Sequence, residues 1–144
     1  MKILVLIRHA KSDWSDFSAA DFDRDLNARG KHDAPVMGQR LAARGIQADA
    51  FMVSSACRAK ATARLIIPAL SFPETDIQWK NKLYLASPST MKSLIRRAAE
   101  HAQTLVLLAH NPGLTELAKQ LTGTHITNIP TCGVVTLELP IQHW

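Results

Sequence analysis

The sequence predicts an α/β fold, a three-layer sandwich in which a mostly parallel sheet is flanked by helices. Three observations carry that expectation. Short apolar runs rich in β-branched residues alternate along the chain with segments of helical periodicity. Three of those runs, residues 2–7, 50–54 and 104–109, are apolar at nearly every position, as strands covered on both faces must be. The composition, 47% apolar and 20% charged over 144 residues, is that of an ordinary globular chain. A chain of this length buries roughly two-thirds of its unfolded surface, so 1–144 is expected to be one domain that needs no disulfide or metal staple.

In chain order, residues 2–7 give the first strand. Residues 13–25 then carry Asp13, Asp16, Asp21, Asp23 and Asp25, most of the local charge. Aspartates ahead of a helix favour its N-terminal dipole, so Asp21, Asp23 and Asp25 are expected to be structural, in a segment that leads into the first long helix. Asn27 caps that helix, 28–44, with Val36, Met37 and Leu41 on the buried stripe and Gly45 as its stop. Residues 50–54 form the second strand and 58–69 a second helix. Ser87 as cap with Pro88 behind it opens a third helix, with Met91, Leu94, Ile95 and Ala98 facing inward, to about residue 101. After the strand 104–109, Pro112 and Gly113 open a fourth helix, 114–121, which Gly123 ends. Residues 134–139 close the sheet as an edge strand, leaving 2–7, 50–54 and 104–109 parallel at its centre.

The longest early apolar run, residues 3–7, is too short for a signal-peptide core or a membrane span, so a cytoplasmic protein with no membrane partner is expected. Cys57 and Cys132 form no CxxC or Cys/His cluster and are expected to be reduced thiols. Seventeen basic against twelve acidic side chains give a net charge of +5, which attracts anions in general. Basic and aromatic residues do not interleave as base-stacking platforms require, so no nucleic-acid partner is expected.

Ligands of open α/β sheets bind at the carboxyl ends of the strands, and three such exits here carry polar residues. Arg8 and His9 follow the first strand, Ser54, Ser55 and Arg58 the second, His110 and Asn111 the strand 104–109. Two guanidiniums can grip phosphate oxygens with forked hydrogen bonds while a neutral imidazole offers a nucleophilic nitrogen, so the quartet implies phosphoryl transfer. Fixed cations around such a transition state make a metal dispensable, and no acidic cluster at metal-ligand spacing is present; no metal or cofactor is expected.

The segments Leu6-Ile7-Arg8-His9-Ala10, Ser54-Ser55-Ala56-Cys57-Arg58-Ala59-Lys60-Ala61-Thr62-Ala63 and Ala109-His110-Asn111-Pro112-Gly113 resemble the histidine phosphatase superfamily over nearly the whole chain. Within it, the compact size and Arg8-His9-Ala10-Lys11-Ser12-Asp13-Trp14 are most similar to SixA-type phosphohistidine phosphatases. The resemblance implies a phosphoglycerate mutase-like fold and a metal-independent phosphatase. His9 would take the phosphoryl group, with Arg8, Arg58 and His110 lining the phosphate pocket and Ser12 and Asn111 as further phosphate donors. It implies as partner a phosphorylated protein bearing phosphohistidine, or a small phosphorylated molecule.

Two departures stand out. Ala10 replaces the glycine of most of the superfamily, which matters only if the backbone there needs positive φ. Residues 79–86 lack the carboxylate that many relatives keep as proton donor, which leaves Asp13 and Asp16 as the acid/base candidates nearest to His9 in sequence. Without an acid, P–N substrates are favoured. The alternatives are a general phosphomonoesterase and a noncatalytic phosphate-binding module. A cysteine phosphatase is disfavoured, since six rather than five residues separate Cys57 from Arg64. Taken singly, Arg8 could instead pair with an aspartate of 13–25 and His9 could be a satisfied strand-end histidine. His32, His101, His125 and His143 are expected on the surface.

Overall fold

The computed structural model describes residues 1–144 as an α/β sandwich. Its elements are β1 (Lys2–Arg8), α1 (Ala28–Ala43), β2 (Ala50–Ser54), α2 (Cys57–Leu70), β3 (Gln78–Lys80), α3 (Pro88–Ile95), β4 (Thr104–Ala109), α4 (Gly113–Thr122) and β5 (Val134–Leu139), joined by short 3-10 turns at Asp21–Asp23, Glu74–Asp76 and Asn81–Leu83. The sheet runs β3-β2-β4-β1-β5, parallel except for β5, which pairs antiparallel with β1 at one edge.

Because successive side chains on a strand point to opposite faces, the apolar runs feed two cores. Leu4, Leu6, Met52, Leu105 and Leu107 pack with Met91, Leu94, Leu114 and Leu117 of α3 and α4. Their alternates Val5, Ile7, Phe51, Val53, Val106 and Leu108 pack with Ala34, Leu41, Ala59, Ala63 and Ile66 of α1 and α2. This double demand explains why β1, β2 and β4 contain hardly a polar residue. Edge strand β5 is buried on one side only and alternates accordingly.

Asn27 caps α1, its side-chain oxygen accepting the Gly30 N–H at 2.9 Å, and Ser87 caps α3 on the Thr90 N–H, as expected. Two elements differ from the sequence reading. Helix α3 ends at Ile95, not near residue 101; beyond it the N–H groups of Arg97 and Ala98 bond three residues back, so Ala98 stays buried on tightened turns. β3 was not foreseen, because three residues paired with β2 are too few for a periodicity.

The connection leaving β1 runs to α1 on one face of the sheet, while that leaving the adjacent β4 runs to α4 on the other. Their exits diverge and open a crevice at the carboxyl ends of the two central strands, the switch point at which ligands bind in such sheets. No helix is long and apolar enough to cross a membrane.

Candidate active site

Strand register brings the two motif histidines together. Arg8 stands opposite Ala109 in the β1–β4 pair, so the next residues, His9 and His110, leave the sheet side by side with ring centroids 5.1 Å apart. The neighbouring β2 ends on Ser54, whose Oγ lies 2.7 Å from His110 Nε2. Arg58, in the first turn of α2, donates from Nε to His9 Nε2 at 3.3 Å. Arg8, His9, Arg58 and His110 thus line one cavity of about 170 Å³, with Ser12, Asn111 and Asp21 also in its wall.

The His9 ring has one defined tautomer. Nδ1 lies 2.7 Å from the Ala10 carbonyl, which can only accept, so Nδ1 carries the hydrogen and Nε2 keeps its lone pair. Burial pushes the ring's pKa down to about 4, against the Ala10 hydrogen bond and with help from the charges of Arg58 and Arg8. His9 is therefore neutral at pH 7 and presents an unprotonated Nε2 to the cavity. Ala10 is not among the residues of positive φ, and its N–H is spent on Thr62 Oγ1, so alanine serves where relatives have glycine.

Around that nitrogen stand cations and unpaired donors. Arg58 is 5% exposed and bonds Asp21 twice, Nη1 to the backbone carbonyl at 2.7 Å and Nη2 to Oδ2 at 3.1 Å. Arg8 donates from Nη1 to the Ile129 carbonyl at 3.0 Å, while its buried Nε has no protein partner. Burial and the nearby Arg58 lower the Arg8 pKa, from a starting point so high that the guanidinium stays charged. His110, 1% exposed, also leaves its buried Nδ1 without a partner. Burial, then His9 and Arg58, push its pKa down to about 3.

Asp21 is the one carboxylate in the cavity wall, although its sequence context predicts a purely structural residue ahead of α1. It accepts from the Tyr84 hydroxyl, from Arg24 Nη2 at 2.6 Å and from Arg58. The Tyr84 hydrogen bond, then those two arginines, hold the Asp21 carboxyl well below the usual carboxylate range, overcoming its partial burial. The Tyr84 hydroxyl is pushed up in turn by that bond. Its ring stands edge-on to His110 at 5.5 Å. Tyr84 lies within the stretch 79–86 that lacks acids, and nothing in the sequence links it to a residue 63 positions earlier.

The other expected residues fall into two groups. Ser12 is buried in the wall, and Asn111 reaches the cavity with its amide already committed. Asn111 Nδ2 donates to Asn128 Oδ1 and the Ile129 carbonyl, and Oδ1 accepts from the Thr115 N–H and hydroxyl. It ties the 128–129 loop, and through it Arg8, to the start of α4. Asp13 and Asp16 do not line the cavity. Each carboxylate turns onto its own loop, Asp13 accepting from the Ser15 N–H and Asp16 from the Ser18 N–H and hydroxyl, the local turn habit of aspartate.

Neither cysteine lines the cavity, and burial raises both thiols, Cys132 to about 11, so neither is poised as a thiolate. His32, His101, His125 and His143 are exposed. No group of three or more His, Cys, Asp or Glu side chains is placed to hold a metal ion.

Comparison with known proteins adds three findings. Residues 4–83 match the histidine phosphatase superfamily (branch 1). An uncharacterized protein of Mycobacterium tuberculosis (strain H37Rv) is 31% identical over 148 residues, covering 96% of this chain and 89% of the relative. Among solved structures, the proposed phosphohistidine phosphatase SixA from Agrobacterium tumefaciens superposes with a TM-score of 0.87 at 28% identity, covering 95% of this chain and 91% of that one. A protein histidine phosphatase SixA complexed with tungstate gives 0.86 at 18% identity, covering 95% and 88%, a likeness of fold.

Proposed function

The chain belongs to the histidine phosphatase superfamily, and from that membership and the geometry around His9 we propose a phosphatase that works through a phosphorylated histidine and prefers phosphohistidine or other phosphoramidates. In this reading the His9 Nε2 lone pair attacks phosphorus, and the P–N or P–O bond to the leaving group breaks with its electron pair departing on that group. Water then attacks the phosphorylated His9, releasing inorganic phosphate and restoring the neutral ring. Arg58 and Arg8 hold the equatorial oxygens, where charge accumulates in the transition state. A phosphoryl dianion favours the protonated form of His110, which then donates from Nδ1 to a phosphoryl oxygen. Arg8, Arg58 and protonated His110 supply the positive charge a metal would bring, so in this reading turnover requires none.

The state of Asp21 supports the choice of substrate. A general acid must hold a proton at working pH, and the only carboxyl in the cavity wall is kept ionised by Tyr84, Arg24 and Arg58. An alkyl phosphate would then have to expel a poorly assisted alkoxide. Phosphohistidine instead expels imidazole, whose free pKa of about 6.5 lets it leave readily once its ring is protonated. The expected outcome is a kcat/KM for a phosphohistidine peptide at least about a hundredfold above that for glucose 6-phosphate, a difference of roughly 3 kcal/mol in barrier. Equal efficiency on both, with selective loss of the sugar ester in Asp21→Asn, would make Asp21 an acid and the protein a general monoesterase. Phosphate binding with no turnover of either would leave a noncatalytic reader.

A further inference from the structure

Four of the seven exposed large hydrophobic side chains of the molecule lie on two segments beside the His9 cavity: Trp14 (60% exposed), Phe17 (96%) and Phe22 (36%) on one, Leu85 (56%) on the other. Trp14 and Leu85 line the cavity itself. Phe17 sits in the loop 14–21, both ends of which, Trp14 and Asp21, are in the cavity wall. Phe22 stands edge-on to Tyr84 at 5.0 Å and, on its other side, walls a groove of about 650 Å³ along α2 with Leu26, Ala61 and Leu65. Exposed apolar side chains therefore stand both at the cavity and along the groove beside the helix that carries Arg58.

Leu85 adds a second kind of observation. It has φ +48°, the left-handed region that disfavours a leucine, and its side chain is more than half exposed, so no burial offsets the strain. A glycine would fit that backbone better. A costly, solvent-facing leucine at the rim of a phosphate cavity is explained by something it touches outside the chain. Trp14, in contrast, is held from within by the Arg24 guanidinium stacked 3.4 Å from its ring centroid.

We propose that this rim, Phe17 and Leu85 above all, is a specificity surface that grips apolar side chains flanking the phosphohistidine of a polypeptide substrate. The proposal rests on the reading of His9 given above and deepens it. The occupant follows from continuity with the cavity: Leu85 and both ends of the 14–21 loop line the space in front of His9, and a free sugar phosphate gains nothing from apolar walls there. A polypeptide can seat its phosphohistidine inward while its neighbours cover Phe17 and Leu85 and its continuation follows the α2 groove.

The test compares two synthetic phosphohistidine peptides, one with leucine on both sides of the modified residue and one with serine, together with free phosphohistidine. Wild type is expected to favour the leucine peptide by about tenfold or more in kcat/KM, the scale on which apolar pockets discriminate. Phe17→Ser should erase that preference while free phosphohistidine is hydrolysed as before. Leu85→Gly should also reduce the preference while leaving Tm unchanged or raised, since it relieves the strained backbone. No preference in wild type, equal losses on peptide and free phosphohistidine, or a lowered Tm for Leu85→Gly would overturn the proposal. So would a dimer that Phe17→Ser dissolves with peptide preference intact, because the rim would then serve a second copy of the chain. Fluorescence anisotropy of the same labelled peptides on His9→Ala reads the rim without turnover, so a failure of the His9 reading and a failure of the rim are distinguishable.

Discussion

At the scale of single residues, the proposed mechanism rests on a nucleophile kept neutral among cations. The ring of His9 gives up its proton so easily, at about pH 4, because it is buried beside two guanidiniums, and the Ala10 carbonyl decides which nitrogen stays bare. Its Cε1–H resonance should accordingly hold constant from about pH 8 to 5, and a midpoint near the ordinary 6.5 would contradict the buried neutral ring. His9→Ala should abolish turnover and with it the acid-labile phosphoenzyme seen by mass spectrometry after a rapid quench. Arg58→Ala removes a charge-assisted donor aimed at the reacting centre and should lower kcat by about 10² to 10³. Arg58→Lys should recover only part of this, because a lysine cannot reproduce the fork that now spans His9 Nε2, the Asp21 backbone carbonyl and Asp21 Oδ2.

At the scale of elements, two helices approach the site loops so closely that only glycine fits. A Cβ on Gly30 of α1 would lie 2.3 Å from the Lys11 carbonyl oxygen, two residues beyond His9. On Gly113, which opens α4, it would lie 1.9 Å from the carbonyl oxygen of Ala86, next to Leu85. Both obstacles are backbone and cannot swing aside. Gly30→Ala and Gly113→Ala should each destabilise by about 3 kcal/mol, the upper end for overpacking, and lower Tm by roughly 10 °C in calorimetry. Asn27→Ala removes only the cap of α1 and should cost about 1 kcal/mol, a clear contrast with the glycine beside it.

For the whole molecule, the buried histidines tie stability to pH. In the unfolded chain both rings bind a proton below about pH 6.5, whereas in the folded protein His9 does so only at about 4 and His110 at about 3. Unfolding therefore takes up protons in that window. Stability is fullest above pH 6.5 and declines as pH falls toward 4, and the depressed Asp21 pulls the same way at still lower pH. Urea midpoints at about pH 7.5 and 4.5 should fall in that order, and His110→Asn should flatten the slope. If the cavity holds phosphate as proposed, inorganic phosphate, vanadate or tungstate should bind the folded state alone and raise Tm with concentration in wild type, far less in Arg58→Ala.

The sequence alone determined the layers and the meeting of the four principal side chains. Short runs apolar at nearly every position and rich in β-branched residues fit strands with cover on both faces, and polar residues directly after three of them gather where the strands end. By that rule Arg8, His9, Arg58 and His110 are expected at one place, and the four do line a single cavity. Local rules also located Asn27 and Ser87 as caps, since a cap is read within four residues. What lay beyond them were facts of register and distance. β3 is defined by its partner β2, not by its own three residues, and α3 stops where turns replace a helix that periodicity would continue. Proximity in sequence made Asp13 and Asp16 the acid candidates, yet their carboxylates close on their own loop, while Asp21 is drawn in by Arg58 and Tyr84, 37 and 63 positions away. Tertiary structure decided that the carboxyl beside His9 is an ionised one, because a pKa is set by whatever surrounds the group, and those neighbours come from three separate segments of the chain.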